Sequence, residues 1–184
     1  MNKIVAVVGM CGSGKSIASE YLEKIGFQKI YFGGVTMEVL KEKNLEVTPQ
    51  NEKQIRESLR KEYGMGAYAK LLLPKIDSFI TNGNVVLDGL YSWEELKILK
   101  EKYQNNLVVL AILVDKTTRY ARLKERNIRP LDEKQAEDRD CSEIENLEKG
   151  GPIAFADYYI LNNDNVEKYE EELKKFTSKI LEED

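Results

Sequence analysis

A short glycine-rich segment near the start of the chain constrains the fold more than any other feature. Residues 9–16 read GMCGSGKS, with the spacing G-x-x-x-x-G-K-[ST], in which Gly9, Gly14, Lys15 and Ser16 hold the fixed positions. The apolar run KIVAVV before this segment predicts a buried parallel strand, and SIASEYLEKIGF after it predicts an amphipathic helix. Strand, glycine loop and helix together are the context in which this spacing binds phosphate. We call residues 9–16 the phosphate loop.

The phosphate loop predicts a site for Mg·ATP. Its glycines allow backbone N–H groups to turn inward around an anion, and the start of the following helix adds a favourable partial charge. Lys15 is expected to reach the β- and γ-phosphates, and the Ser16 hydroxyl is expected to bind Mg²⁺. A glycine-rich turn that binds no ligand is the alternative. The predicted nucleotide-binding residues of the loop are Gly9, Met10, Cys11, Gly12, Ser13, Gly14, Lys15 and Ser16.

Composition limits the classes of partner. The chain has 184 residues, enough for a single domain, and a net charge of −4, which argues against nucleic acid or an anionic membrane surface as a partner. No apolar run has the length of a transmembrane helix, and the first residues already resemble a core strand, so we expect no signal peptide. Cys11 and Cys141 follow no disulfide or zinc pattern, which suggests free thiols in a cytoplasmic protein. With no histidine, histidine bases are excluded.

Strands and helices alternate along the sequence, as in proteins with a parallel sheet. Strands are predicted at residues 3–8, 28–32, 84–88, 106–114 and 157–162. Helices are predicted at residues 16–27, in a short stretch within 33–45, and at 51–64, 66–83, 92–103, 116–127, 131–149 and 166–183. The expected fold is an α/β three-layer P-loop NTPase sandwich, with five parallel strands flanked by helices. Ligands of such sheets bind beyond the carboxyl ends of the strands, where the phosphate loop lies.

An aspartate at the end of the third strand is the second candidate for catalysis. Asp88, in VVLDGLYS, is positioned to hold Mg²⁺ beside Ser16 and is the one base candidate in the sequence. The glycine that follows it directly does not fit the D-x-x-G pattern of GTPases, and no N-K-x-D guanine motif is present. A turn residue in an Asp-Gly pair is the structural alternative for Asp88.

Arginines are dense between residues 119 and 139. Arg122 and Arg126 are four residues apart, so they share a helix face, and guanidinium groups stabilise the charge that develops during phosphoryl transfer. We therefore predict a lid segment, residues 122–151, that closes over ATP, with a break at Arg129-Pro130 and a loose exit at Gly150-Gly151. The alternative is a solvated helix paired with its own acidic residues.

A helical insertion of about fifty residues between the second and third strands, residues 34–82, is long for one crossover and suggests a functional element. Arg56 and Arg60 lie four residues apart in it and are predicted to face an anionic acceptor. The other predicted acceptor-side residues are Gly34, Asp88 and Tyr91. A solvated helix face is the alternative for the arginines, and core packing is the alternative for the tyrosines.

These features, in this order, resemble small P-loop kinases of the nucleoside-monophosphate kinase type, over nearly the whole chain. RDCSEIENLEKGGPIAFADYYILNN and LRKEYGMGAYAK resemble segments of dephospho-CoA kinase-like proteins and of a related, poorly characterised group of small ATPases. The resemblance implies that Arg60 contacts the acceptor, that Arg122 and Arg126 contact the transferring phosphates, and that Asn162-Asn163 forms the loop near adenine. It also implies a fold with an acceptor-binding insertion and a lid.

Two departures from these families concern the acceptor. Dephospho-CoA kinases are expected to carry an aspartate after the second strand, where this chain reads Tyr31-Phe32-Gly33-Gly34, and adenylate kinases are expected to read D-G-x-P-R where this chain reads DGLYS. The leading hypothesis is a cytoplasmic kinase, monomer or homodimer, that transfers the γ-phosphoryl of Mg·ATP to a small nucleotide-like acceptor. The alternative is an ATP-binding regulator or weak ATPase. Gly33-Gly34 would make room for a base or for a pantetheine-like arm.

Overall fold

The computed structural model describes residues 2–182, and the predicted helix at 166–183 extends one residue beyond them. The strands are β1 Ile4–Val8, β2 Gln28–Tyr31, β3 Val85–Asp88, β4 Leu107–Leu113 and β5 Tyr158–Leu161. The helices are α1 Lys15–Lys24, α2 Gly34–Glu42, α3 Pro49–Tyr63, α4 Ala67–Ile80, α5 Trp93–Tyr103, α6 Lys116–Lys124, α7 Glu133–Leu147, α8 Gly150–Ala154 and α9 Val166–Glu182, with a short 3₁₀ turn at Gln104–Asn106.

The five strands form one parallel sheet in the order β2-β3-β1-β4-β5. β1 is the central strand. All five of its residues are apolar and fully buried, as expected of a parallel strand that is covered on both faces. Val7 pairs with Asp88 of β3, and Val8 pairs with Ala111 of β4. The phosphate loop therefore leaves the sheet between the ends of β3 and β4. The predicted α/β P-loop NTPase sandwich is confirmed.

Each face of the sheet has its own core. Ile4, Ala6 and Val8 face a cluster built with the helices of the insertion and with α5, while Val5 and Val7 face a cluster built with α1 and α9. Alternate residues of one strand thus supply both cores, because successive side chains point to opposite faces. Among residues 2–182, no helix has both the length and the apolar character needed to cross a membrane.

The end of the lid segment differs from the expectation. Gly150 and Gly151, predicted to form a loose exit, begin the short helix α8. A Cβ atom on Gly151 would lie 2.9 Å from the Trp93 ring, so the helix packs closely on α5 because this position has no side chain. Glu148, at φ 52°, makes the turn between α7 and α8. The lid segment therefore ends in a fixed turn.

A capping box, for which the spacing Ser-x-x-Glu of Ser92 and Glu95 is typical, begins α5 and is buried. The Ser92 hydroxyl accepts a hydrogen bond from the Glu95 backbone N–H at 3.1 Å and donates to the Met65 carbonyl at 3.0 Å. The Glu95 carboxylate accepts from the backbone N–H groups of Tyr91 and Ser92 at 2.9 and 3.0 Å. These bonds fix the loop that carries Tyr91 to the insertion.

Replacing Ser92 with alanine is expected to lower the free energy of unfolding by about 1–2 kcal/mol, because the cap and the link to Met65 are both lost. Chemical denaturation monitored by circular dichroism measures this change. Ser58→Ala, at an exposed position in the middle of α3, is the control and is expected to be near neutral. Equal stabilities of the two variants would contradict this assignment.

Candidate functional site

The phosphate loop has a backbone that only glycine adopts without strain. Gly9, Gly12 and Gly14 have φ values of 147°, 84° and 94°. A Cβ atom at Gly9 would lie 2.6 Å from the Ile112 carbonyl oxygen, and one at Gly14 would lie 2.5 Å from the Asn162 Nδ2. The positions that the motif requires to be glycine are therefore closed to larger residues by both conformation and space.

Three side chains hold the outer side of the loop. Asn162 Nδ2 donates to the Ser13 carbonyl at 2.9 Å, Tyr169 Oη donates to the Gly14 carbonyl at 3.1 Å, and Arg119 Nη1 donates to the Cys11 carbonyl at 3.0 Å. Asn162, predicted to lie near adenine, is buried in this role. We therefore assign it to supporting the loop.

Lys15 bends back into the loop, where its ammonium group donates to the Met10 carbonyl at 2.9 Å. Burial, and next the positive charge of Lys149, lower the pKa of Lys15 to about 7. Ser13 Oγ is buried and has no hydrogen-bond partner among the described residues. A cradle of glycines, a buried lysine and an unpartnered hydroxyl suit a phosphate chain, so the loop fits the predicted nucleotide.

Asp88 and Ser16 are suited to a magnesium ion. Ser16 is exposed at the start of α1, and Asp88 is partly buried at the end of β3, beside the loop. Burial raises the pKa of Asp88, while Lys29, 4.0 Å from the carboxylate, and Lys15 oppose this rise. Residues 2–182 contain no group of three or more acidic, cysteine or histidine side chains that could hold a metal ion. One carboxylate and one hydroxyl leave room for waters and phosphate oxygens, which is how Mg²⁺ binds beside nucleotides.

A cleft of about 520 Å³ lies between the insertion and the lid segment. Its walls include Tyr31, Phe32 and Gly33 at the end of β2, four arginines, two glutamates and two further tyrosines. These arginines are Arg56, Arg60, Arg129 and Arg139; the glutamates are Glu52 and Glu143; and the tyrosines are Tyr68 and Tyr91. The insertion and the lid segment thus both contribute cations to one cavity, as an anionic ligand requires.

Of the predicted acceptor-side residues, Arg56, Arg60 and Tyr91 line the cleft. Gly34 begins α2, and it is Gly33 that lies in the wall. The Tyr31 ring fills the space next to Gly33, so a Cβ atom on Gly33 would lie only 2.3 Å from that ring. Gly33 thus makes room for the Tyr31 ring, whereas a Cβ atom on Gly34 would meet no atom closer than 4.0 Å.

The cations of the cleft differ in how they are paired. Arg129 and Arg56 contact the buried carboxylate of Glu52 at 2.9 and 3.3 Å, and the hydrogen bond from Arg129 is the main reason why the pKa of Glu52 is lowered. Arg60 lies over the Tyr68 ring, 5.5 Å from its centroid. Its Nε is buried and has no hydrogen-bond partner within residues 2–182.

Arg119 and Arg122 lie on α6, but the helix ends at Lys124, so Arg126 follows it and does not share a helix face with Arg122 as predicted. Arg119 is buried in a two-pronged ion pair with Asp140 of α7, at 2.6 and 3.1 Å, so it joins the lid segment to the phosphate loop. Arg122 lies 3.5 Å from the Asp164 carbonyl, and the exposed Arg126 lies 3.9 Å from the Cys11 sulfur. Arg126 therefore faces the phosphate loop, whereas Arg122 faces the loop after β5.

Sequence reasoning missed three members of the site. Glu52 and Glu143 are buried acids in the cleft, and Lys149 is a buried lysine beside Lys15. The spacing of Arg139 and Glu143, four apart on α7, carried a usable signal for one contact. The pairing of Glu143 with Lys149 crosses the end of α7, and no sequence period announces it.

The chain belongs to the AAA domain family, whose model matches residues 5–149. It is also a member of a group of archaeal UPF0200 proteins. It is 35% identical to the UPF0200 protein TK1334 of Thermococcus kodakarensis over 182 residues, which cover 97% of this chain and 98% of that protein. It is also 32% identical to the UPF0200 protein PYRAB09750 of Pyrococcus abyssi, over 97% of this chain and 97% of that protein.

The fold is that of P-loop kinases. Shikimate kinase from Acinetobacter baumannii superposes with a TM-score of 0.62 at 17% identity, covering 99% of this chain and 94% of that one. Dephospho-CoA kinase from Campylobacter jejuni superposes with a TM-score of 0.56 at 18% identity, covering 97% of each chain. The predicted resemblance to small P-loop kinases is confirmed for the fold.

Binding of Mg·ATP at pH 8 is expected to take up about 0.9 proton, and at pH 6 close to none, given a pKa near 7 for the free Lys15. The phosphates favour the ammonium form, so affinity falls as pH rises above 7. Calorimetry in two buffers of different ionisation enthalpy measures the uptake. Lys15→Arg keeps its charge and is expected to show no uptake wherever it still binds. Absence of uptake by the wild type at pH 8 would contradict the lowered pKa.

Proposed function

We propose that this protein transfers the γ-phosphoryl group of Mg·ATP to a small nucleotide-like acceptor, of the kind represented by a nucleoside monophosphate or dephospho-CoA. The observation that carries the proposal is the cationic cleft beside the phosphate loop, with Arg56 and Arg60 on one side and Arg129 and Arg139 on the other. An ATP-binding loop alone needs no such cavity, whereas a second anionic substrate does.

The donor half uses the phosphate loop and its neighbours. The loop amides and Lys15 bind the phosphate chain, and Arg126 approaches the same loop from the lid segment. Ser16 and Asp88 would hold Mg²⁺, which neutralises charge on the phosphate oxygens when bound. Lys15 would exchange its hydrogen bond to the Met10 carbonyl for phosphate oxygens when the nucleotide binds.

The acceptor half uses the insertion. Arg60 lines the cleft with its guanidinium over the Tyr68 ring and has no carboxylate partner among residues 2–182, so its terminal nitrogens would be available to an anionic group of the acceptor. Arg56 and Arg129 are held by Glu52 and would be shared with the acceptor. Tyr31 and Tyr91 offer aromatic surface to a base.

Phosphoryl transfer in this site requires no strong base. An acceptor oxygen forms the bond to the γ-phosphorus while the bond from that phosphorus to the oxygen bridging to the β-phosphate breaks, and ADP leaves. If the attacking oxygen belongs to a hydroxyl, its proton goes to a carboxylate of the cleft or to water. Glu143 lines the cleft and is a second candidate proton acceptor besides Asp88. The sequence had pointed to Asp88 alone.

A second candidate function is an ATP-binding regulator or weak ATPase without a small-molecule acceptor. One observation favours it: two of the four cleft arginines already have a carboxylate partner in Glu52. The free thiols of the buried Cys11 and the exposed Cys141 support a reducing cytoplasm for either function.

ADP release from Mg·ATP is expected to be stimulated more than about 100-fold by one member of a panel of nucleoside monophosphates, deoxynucleotides and dephospho-CoA. A coupled assay for ADP measures this, with phosphorylated product confirmed by mass spectrometry. Lys15→Ala, which removes the phosphate-loop cation, is expected to abolish turnover. A flat panel together with tight ATP binding would reject the kinase in favour of the regulator.

Arg60→Met is expected to raise the KM for the active acceptor by about 10- to 100-fold, because a charge-assisted contact is lost while the packing on Tyr68 is largely kept. The KM for ATP is expected to stay within about twofold. Steady-state kinetics with either substrate varied separates these constants. Lys61→Met, at the exposed neighbouring position, is the matched control. A change in the KM for ATP alone would place Arg60 on the donor side.

A further inference from the structure

Lys149 is a buried lysine that the proposed chemistry has not yet used. Its side chain is 1% exposed, pairs with the Glu143 carboxylate at 2.5 Å, and lies 4.6 Å from the centroid of the Tyr91 ring. A fully buried ammonium group is costly, and a lone ion pair seldom repays the cost of removing both charges from water. Such a group calls for a function beyond packing.

The position of Lys149 is at the junction of the two halves of the site. On one side it contacts Glu143 and Tyr91, which line the acceptor cleft. On the other side, a Cβ atom on Gly89 would lie 3.3 Å from the same Tyr91 ring, and Gly89 directly follows Asp88 at the end of β3, beside the phosphate loop. The charge of Lys149 also acts on Lys15 of that loop. The γ-phosphoryl group must pass between these two halves.

The charges around this junction leave an excess of positive charge. The cations are Lys15, Lys149 and Arg139, which contacts Glu143 at 3.1 Å, and the carboxylates that act on Lys15 are Glu143 and Asp88. The two lysines carry like charges, and burial lowers the pKa of Lys149. An anion placed between the two lysines would relieve both effects.

The backbone of Lys149 is fixed in place. Its N–H donates to the Glu143 carbonyl at 3.2 Å, in the left-handed turn that ends α7, and α8 begins directly after it. Close packing of Gly151 on Trp93 holds this turn against α5. The lysine is therefore presented by a rigid element, whereas Arg126 and Arg129 of the same lid segment are exposed.

We propose that Lys149 is a second cation for the terminal phosphate of the bound nucleoside triphosphate, and that Glu143 holds it in place until the nucleotide binds. On binding, the ammonium group exchanges part of its contact with Glu143 for a phosphate oxygen. Glu143 keeps its contact with Arg139 and remains in the cleft wall. This inference rests on the proposed function only for the identity of the donor.

The test compares affinities for the β,γ-imido analogue of ATP and for ADP, each with Mg²⁺, by calorimetry. Lys149→Met is expected to weaken binding of the triphosphate by about 10- to 100-fold and binding of ADP by less than about threefold. Lys149→Arg is expected to keep most of the preference. Lys134→Met, at an exposed position near the start of α7, is the matched control and is expected to behave as the wild type.

A double variant separates this role from a structural one. Lys149→Met alone leaves Glu143 buried with one partner fewer, whereas Glu143→Gln with Lys149→Met removes both charges together. A merely structural pair predicts that the folded double variant regains the wild-type ratio of affinities. Our inference predicts that the preference for triphosphate stays lost. Thermal unfolding midpoints show which variants are folded. If Lys149→Met alone does not fold, the double variant decides between the two roles.

The outcomes separate this inference from the proposed function, because neither an acceptor nor turnover is needed. A folded double variant with the wild-type preference for triphosphate over diphosphate would overturn the role of Lys149 and leave the proposed kinase standing. Failure of the wild type to bind either nucleotide would overturn both. Loss of the preference with a flat acceptor panel would support the lysine and reject the kinase.

Discussion

The conformation of the phosphate loop is the constraint on which the rest of the site depends. Glycine adopts the positive φ values of this loop without strain, but it also loses more conformational entropy than any other residue when its backbone is fixed. The bonds from Asn162, Tyr169 and Arg119 to loop carbonyls offset this loss, and they come from three separate elements. The loop is thus held open by residues far from it in sequence, at no cost to the amides that face the ligand.

Arg119 extends this dependence to the lid segment. Its guanidinium bridges the Cys11 carbonyl and the Asp140 carboxylate, and both arginine and aspartate are buried. Breaking such a pair leaves an uncompensated buried charge, so the middle of α7, where Asp140 lies, cannot move far from the loop without a large penalty. Closure of the lid segment over a nucleotide would therefore be confined to its exposed part around Arg126 and Arg129. Its two ends stay attached to the body of the protein.

The fold and the phosphate loop could be predicted from sequence because their signals are local. Strand, loop and helix are predicted together by the apolar run of β1, the glycine spacing and the lysine that follows it. The spacing of Ser92 and Glu95 likewise indicates the cap of α5. The fate of Asn162 could not be predicted, since its partner is the Ser13 carbonyl, 149 positions away. Gly150 and Gly151 suggested flexibility, but their missing side chains serve close packing against a tryptophan that sequence alone does not place there.

The cleft between the insertion and the lid segment was predicted only in part, because Arg56, Arg60 and Tyr91 were named but the carboxylates that pair with its arginines were not. Its walls include long side chains from β2, α3, α7 and the loop before α5. The orientation of such side chains depends on their partners. Arg129, for example, turns toward Glu52 because that buried carboxylate requires a partner. Each such pair joins segments whose separation follows no period. A loop made of backbone can be recognised from a motif of fixed spacing, whereas a cleft lined by paired side chains has no such spacing in the sequence.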